Sequence, residues 1–196
     1  MTIGSNTAVL DNDFINHIVE TDMTADRIVD LFTMLFSELE IDAVVHPLVY
    51  TNEVFHTNKL VCRLFDENVI KRPSFEDIFL SSEAREDYYL YLVEELYHTN
   101  YGCYFPVSKE QILSYWKKKQ SLGEIHSLAM CLLCGCDIFL SDDDDSKKLR
   151  NSIQYKIPNT ITVYDRKEWL VYYKENGGTY IKRSDRKKLG HVICHR

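Results

Sequence analysis

Six acidic residues stand where carboxylates could do chemistry, directly after short apolar runs or near the starts of helical stretches. They are Asp11, Asp13, Glu53, Glu124, Asp142 and Asp143. Carboxylates that converge on one spot repel each other, and a hard cation such as Mg²⁺ or Mn²⁺ relieves that repulsion through oxygen ligands. Such a site can activate water and neutralise the charge of a phosphodiester. The acids therefore predict metal-dependent hydrolysis of phosphate esters.

Two short apolar runs are expected to position these acids. Residues 7–10 predict a buried strand that ends at Asp11, and residues 136–141 predict a second strand that ends at Asp142. In open parallel α/β sheets, functional groups gather beyond the carboxyl ends of the strands. Both acidic segments are therefore expected at the same edge of one sheet.

The remaining periodicities complete an alternating order of strands and helices. Strands are predicted at 43–45 and 161–164, and helices at 24–39, from Pro47 through Phe55, at 83–97, from Ser121 to Gly135 and at 167–174. This order predicts one α/β domain over residues 1–196, with a central, mainly parallel sheet flanked by helices. Residues 60–115 form a helical extension, and Gly177-Gly178 is a turn into a basic tail.

Composition excludes several classes of protein. With 196 residues, 45% hydrophobic and 27% charged, 7 Gly and 4 Pro, the chain is neither collagen-like nor disordered throughout. The longest apolar runs, such as 128–133, are far shorter than the roughly 18 residues of a membrane span, and the N-terminus lacks a signal pattern. We expect no membrane association, a cytoplasmic location and reduced thiols at the six cysteines.

The charge of the chain is distributed unevenly. Residues 166–196 hold nine Lys/Arg and three Asp/Glu, a net charge of +6, whereas the whole chain carries −7. Basic side chains in that segment and in a second cluster are candidates for holding a nucleic-acid backbone, although a lysine run is more often a solvated helix face. The candidates are Lys117, Lys118, Lys119, Arg183, Arg186, Lys187 and Lys188.

The sequence resembles the PIN-domain family in three segments, which read AVLDNDFINHI, HPLVYTNEVF and LGEIHSLAMCLLCGCDIFLSDDDDSKKL. The resemblance covers residues 7–60 and 120–165. The third segment is the most specific, because an acid opens a helix, a Gly turn and a short apolar strand follow, and Ser-Asp-Asp precedes a basic helix. PIN domains are three-layer α/β folds that act as Mg²⁺- or Mn²⁺-dependent single-strand nucleases, and many are toxins of bacterial toxin–antitoxin pairs.

This resemblance implies a metal-dependent endoribonuclease and assigns its site. The catalytic cluster would be Asp11, Glu53, Glu124 and Asp142, with Asp143, Ser141 and Asp13 close by. Asp13 departs from the Asn that is more usual in the family and could add a metal ligand, while Glu124 or Asp142 would orient the attacking water. The resemblance also implies an RNA substrate held partly by Ser141 and the basic residues, an antitoxin or other protein inhibitor, and a homodimer.

Other interpretations of the same residues stay open. A phosphatase similar to the haloacid dehalogenase family would use Asp11 as nucleophile and Asp13 as general acid, although Ile15 stands where that family expects Thr or Val. A PIN-like module without catalysis would bind RNA or a protein partner. Asp11 or Asp13 could simply cap a helix, and Ser121 with Glu124 fits a capping box.

Cysteine and histidine offer two further hypotheses. Cys131 and Cys134 have zinc-ligand spacing, with Cys194-His195 as the candidate second pair, but buried apolar thiols are the simpler expectation. His126 stands close to Glu124 and could act as a base, although a partly buried or surface histidine without a catalytic role is the simpler expectation.

Overall fold

A four-stranded, all-parallel sheet is the centre of the computed structural model, which describes residues 1–54, 58–117 and 120–190. The strands are β1 (Thr7–Leu10), β2 (Asp42–Val44), β3 (Ile138–Leu140) and β4 (Thr162–Tyr164), in the order β2-β1-β3-β4. Val9 of β1 pairs with Val44 on one side and with Phe139 on the other. The prediction of an α/β fold with a parallel sheet between helical layers is confirmed.

Ten α-helices surround the sheet in the described part of the chain. They are α1 (Asn12–Val19), α2 (Ala25–Ser37), α3 (Pro47–Asn52), α4 (Lys59–Asp66), α5 (Phe75–Phe79), α6 (Glu83–Tyr101), α7 (Leu122–Cys134), α8 (Asp144–Gln154), α9 (Arg166–Glu175) and α10 (Arg183–Gly190). Lys109–Ser114 is a 3-10 helix. The sequence predicted one helix between the first two strands, whereas the chain forms two, because α1 begins directly behind Asp11. Phe55, expected in the third helix, lies outside the described residues.

Each strand sends alternate side chains into two separate cores. Ala8 and Leu10 face the layer that contains α1, α2 and α9, while Val9 faces the layer that contains α6, α7 and α8. All three side chains are fully buried. Burial on both faces explains why the strands appear in the sequence as continuous apolar runs rather than as alternating patterns.

The basic C-terminal segment was predicted to be a tail beyond a turn, but part of it is a helix that packs on the domain. This helix is α10, whose Asp185 accepts a hydrogen bond of 2.6 Å from Arg27, and whose Leu189 carbonyl accepts one of 3.3 Å from Arg166. Both anchors hold the helix against the body of the domain. Among the described residues, no helix combines the length and the apolar character that a membrane span requires.

The topology creates a crevice between β1 and β3. The chain passes from β1 to β2 on one side and then crosses to β3 on the other, so the connections that leave β1 and β3 diverge. The Asp11 amide still donates to the Leu140 carbonyl at 2.9 Å, which keeps the two strand ends together. Crevices at such switch points are the usual ligand sites of open α/β sheets.

Candidate metal centre

A cleft of about 350 Å³ opens at the carboxyl ends of β1 and β3. Five carboxylates and three neutral side chains line it, and no Lys or Arg of the described ranges does so. The lining residues are Asp11, Asn12, Asp13, Glu53, Gln120, Ser121, Glu124 and Asp143. Acids from four separate segments of the chain therefore face one space.

Asp11 is the most deeply placed of these acids, with 4% of its surface exposed. Its Oδ1 accepts a hydrogen bond from the Asn12 amide at 2.8 Å, and its Oδ2 accepts one from Ser141 Oγ at 3.1 Å. Burial, followed by repulsion from Asp13, raises the pKa of Asp11 to about 7. Asp11 therefore caps α1 and also faces the cleft, so the two predicted roles coexist in one residue.

Ser141 is fully buried, so it does not present its hydroxyl to a substrate as the resemblance implied. Its Oγ donates to Asp11 and accepts hydrogen bonds from Ser146 Oγ at 2.9 Å and from the Asp143 amide at 3.2 Å. The hydroxyl thus connects Asp11 to the loop that carries Asp143. Ser141 helps to fix the positions of two acids.

Glu53 reaches the cleft from the C-terminus of α3 and lies against Gly123 of α7. A Cβ at position 123 would be 2.8 Å from Glu53 Oε2 and 2.9 Å from Oε1, which is closer than such atoms approach in proteins. Burial raises the pKa of Glu53 to about 7, and the charges of Asp11 and Asp13 add to the effect. Burial is also the main cause of a raised pKa at Asp13.

Glu124 lies in the first turn of α7, and the capping box predicted for it with Ser121 is wrong. Ser121 has ψ 47° instead of the extended backbone of a capping residue, and its side chain makes no capping hydrogen bond. Its amide donates instead to the Tyr101 hydroxyl at 2.8 Å. Burial, followed by repulsion from Asp11, raises the pKa of Glu124 to about 8.

The resemblance implied that Asp142 belongs to the metal cluster and that Asp143 lies beside it, but in the structure Asp143 lines the cleft and Asp142 does not. Asp142 is not among the residues that line the cleft, because Arg166 and His17 hold its carboxylate. Its Oδ1 accepts from the Arg166 amide at 2.9 Å, and its Oδ2 forms an ion pair with the Arg166 guanidinium and contacts His17 Nδ1 at 2.7 Å. Asp143, which caps α8, faces the cleft in its place.

The basic candidates that the structure describes lie outside the cleft. Lys117, Arg183 and Lys187 are exposed and Arg186 is half-buried. Lys188 forms an ion pair of 3.1 Å with Asp22. Lys118 and Lys119 lie outside the described residues.

The histidine and cysteine hypotheses gain no support from the geometry. His126 is fully buried and does not line the cleft. Cys131 is fully buried, and burial raises the pKa of its thiol. Cys194 and His195, the candidate second zinc pair, lie outside the described residues.

The donor set of the cleft fits Mg²⁺ or Mn²⁺, because hard divalent cations prefer carboxylate, carbonyl and water oxygens. Within 1–54, 58–117 and 120–190, no three His, Cys, Asp or Glu side chains form a preassembled coordination group. Mg²⁺ usually keeps several of its waters and takes only one or two carboxylates directly. A cleft of about 350 Å³ has room for such a hydrated ion, which the surrounding acids would contact largely through water.

Comparisons of the chain with protein-family models, with curated proteins and with solved structures find no match. The functional argument therefore depends on the fold and on the carboxylates of the cleft.

Proposed function

We propose that this protein is a divalent-metal-dependent nuclease that hydrolyses RNA phosphodiester bonds, the activity that the PIN-like segments imply. The observation that carries the proposal is the set of five carboxylates in one cleft that no described Lys or Arg lines. Burial and mutual repulsion raise the pKa of Asp11 and Glu53 to about 7 and that of Glu124 to about 8. Carboxylates with these pKa values are unfavourable as anions near neutral pH unless a cation compensates them.

The acidic residues of the cleft would have different roles in such a site. Asp11 and Asp143, which Ser141 links, form its rigid side, and Glu53 and Glu124 form the side contributed by α3 and α7. A bound Mg²⁺ or Mn²⁺ would supply charge neutralisation at the phosphate and activation of the attacking water. Burial raises the pKa of Glu124 to about 8, above the values of about 7 at Asp11 and Glu53, and makes Glu124 well suited to take up a proton near neutral pH.

The charge distribution favours an extended polyanion as the substrate. The acidic cleft carries no described cation, so a phosphate outside the metal site needs basic residues elsewhere, and α10 offers exposed Arg183 and Lys187. α10 is tied to the site because Arg166 binds both the Leu189 carbonyl and Asp142. A protein inhibitor of the antitoxin kind, a homodimer and a cytoplasmic location belong to the same proposal and rest on the PIN-like resemblance.

The phosphatase alternative receives less support. A nucleophilic Asp11 needs an open line of approach to phosphorus, yet both of its oxygens accept hydrogen bonds and only 4% of its surface is exposed. Trapping a phosphoenzyme on Asp11 would favour this alternative over the nuclease.

The test is cleavage of an end-labelled single-stranded RNA in Mn²⁺ and in EDTA. We expect wild type to cleave in Mn²⁺ only, and Asp143→Asn to lose cleavage while it keeps its fold, because Asn caps a helix as well as Asp does. Asp144→Asn is the matched control, since Asp144 is an exposed neighbour outside the cleft. Cleavage that survives EDTA, or that survives Asp143→Asn, would overturn the proposal. Metal binding without cleavage would favour the non-catalytic RNA-binding module.

A further inference from the structure

Three buried side chains form a hydrogen-bond chain through the core between α3 and α7. The Tyr89 hydroxyl of α6 lies 2.8 Å from His46 Nε2 and 2.7 Å from His126 Nδ1. All three residues have no exposed surface. The sequence analysis did not predict this hydrogen-bond chain, because Tyr89 is separated from His126 by 37 residues and from His46 by 43.

The direction of each hydrogen bond in this chain follows from its first member. His46 Nδ1 accepts from the Leu48 amide at 3.1 Å, so the proton of a neutral His46 is on Nε2 and is donated to the Tyr89 oxygen. Tyr89 then donates its own proton to His126 Nδ1. Burial lowers the pKa of both imidazoles, that of His126 to about 3, so both rings are neutral.

Both ends of the chain are close in sequence to acids of the cleft. His46 caps the N-terminus of α3, a helix of six residues whose C-cap is Glu53. His126 follows Glu124 by two positions in α7. The two helices meet again where the Glu53 carboxylate packs on Gly123, at a distance that leaves no room for a methyl group. The relative position of α3 and α7 is therefore fixed at two places, the buried chain and this contact.

We propose that the His46–Tyr89–His126 chain is a positioning device that sets the separation of Glu53 and Glu124, and thereby the affinity of the cleft for a divalent cation. The inference rests on the proposed metal site. Residues beyond the direct ligands commonly change metal affinity by about 10–100-fold, because they hold the ligands in place.

The unsatisfied ring nitrogen of His126 indicates that the hydrogen-bond chain has a role beyond stability. His126 Nε2 carries a proton but has no hydrogen-bond partner among the described residues, although it is buried. An unsatisfied buried donor loses its hydrogen bonds to water without replacing them, a cost that an apolar core would avoid. Retention of a costly polar group in a core is typical of functional positions.

The first variant is Tyr89→Phe, which keeps the ring and removes only the hydroxyl. We expect Mn²⁺ affinity, measured by calorimetric titration, to fall about tenfold. Tyr173→Phe is the matched control, because it removes a buried hydroxyl that Glu38 and the Tyr180 amide bind in the opposite layer. The control is expected to lose thermal stability without a change in Mn²⁺ affinity.

A second pair of variants protects the test against a loss of folding in Tyr89→Phe. His46→Asn keeps a capping oxygen for the Leu48 amide but no longer reaches Tyr89, so it is expected to weaken Mn²⁺ binding. His126→Asn offers an oxygen near the position of Nδ1 and is expected to retain most of the affinity.

The outcomes separate this inference from the proposed function. If wild type binds Mn²⁺ and Tyr89→Phe binds it equally well, the positioning role is wrong and the chain is purely structural. If wild type binds no Mn²⁺, the proposed metal site is wrong. Hydrogen exchange then tests, without metal, whether the hydrogen-bond chain holds α3 and α7 together. In that measurement Tyr89→Phe should speed exchange of α3 and α7 together but leave α9 unchanged; unchanged exchange in α3 and α7 would also overturn the inference.

Discussion

The Glu53 carboxylate lies against the Cα of Gly123, at a position where any side chain on residue 123 would displace it. Gly123 belongs to α7, and its backbone does not have the positive φ that would demand glycine. The absence of a side chain therefore serves the neighbouring carboxylate instead of the backbone. Glu53 and Glu124 come close to each other because residue 123 is small.

Gly123→Ala is expected to separate stability from cation binding. Alanine is favoured over glycine in a helix by up to about 1 kcal/mol, and the atom that must move is the end of a flexible Glu53 side chain. Thermal stability in EDTA should therefore stay equal or rise, while the increase in melting temperature on adding Mn²⁺ becomes smaller. Gly4→Ala, where a methyl group meets nothing within 4 Å, is the control. An undiminished response to Mn²⁺ would show that Glu53 does not contribute to the site.

Asp142→Asn is expected to lower stability, whereas Asp143→Asn is expected to remove the response to Mn²⁺. Asp142→Asn leaves the buried Arg166 guanidinium without its ion-pair partner and should lower the free energy of unfolding by about 3 kcal/mol. Asp143→Asn keeps the α8 cap and should be nearly as stable as wild type, but without the response to Mn²⁺. Urea unfolding and Mn²⁺ thermal shifts measure the two effects. If Asp142→Asn is stable but loses metal binding, Asp142 is a metal ligand and its placement outside the cleft is wrong.

The stability of the metal-free protein is expected to fall as pH rises from about 6.5 to about 8.5. At the lower end of this window the folded protein still holds most of the protons of Asp11, Glu53 and Glu124, with pKa values of about 7, 7 and 8, and it releases them toward the upper end, whereas the unfolded chain has already lost them at lower pH. Below about pH 6.5 the buried His46 and His126 act in the opposite direction, because the unfolded imidazoles bind protons that the folded ones do not. Melting temperatures in EDTA across the window measure the slope.

Glu124→Gln tests the origin of that slope. The variant removes one of the three titrating carboxyls, so its melting temperature should depend less on pH and exceed that of wild type at about pH 8.5. Mn²⁺ should raise the melting temperature of wild type but not that of the variant. Asp144→Asn should behave as wild type does, and a variant curve parallel to the wild-type curve would contradict the assignment.

Replacing Arg183 and Lys187 with Gln should weaken binding of a single-stranded RNA and reduce its dependence on salt. Loss of two phosphate contacts lowers the slope of log affinity against log salt by about 1.4. Fluorescence anisotropy in EDTA measures this without cleavage, and Lys59→Gln with Lys109→Gln is a control on other surfaces. Hydrolysis of a small phosphodiester such as bis(p-nitrophenyl) phosphate should be unaffected. An unchanged salt slope would remove α10 from the RNA-binding surface.

Local patterns in the sequence were sufficient for much of the fold. The apolar run at residues 7–10 and the helical periodicity of residues 24–39 predicted β1 and α2 closely, because each element buries side chains at the spacing of its own backbone. The parallel sheet then placed Asp11 at its carboxyl edge. The acids after β1 and after β3 indeed meet in one cleft.

Local patterns were insufficient where a distant residue decides the outcome. Which of the adjacent Asp142 and Asp143 faces the cleft depends on Arg166, which is 24 residues further along. Ser141 was placed beside a substrate because the sequence does not show that its hydroxyl is enclosed by Asp11 and Ser146. Such choices are made by tertiary contacts after the secondary structure has formed.

The Arg166 side chain has a consequence for the order of events during synthesis. It joins the Asp142 carboxylate, the His17 carbonyl and the Leu189 carbonyl, which belong to segments far apart along the chain. A ribosome releases these segments one after another, and long-range contacts form late in folding. The loop that presents Asp143 therefore gains its contacts with Arg166 only after residue 166 has emerged, and α10 adds the last partner of that side chain. A nascent chain would thus complete the acidic cleft only after these later segments have been released.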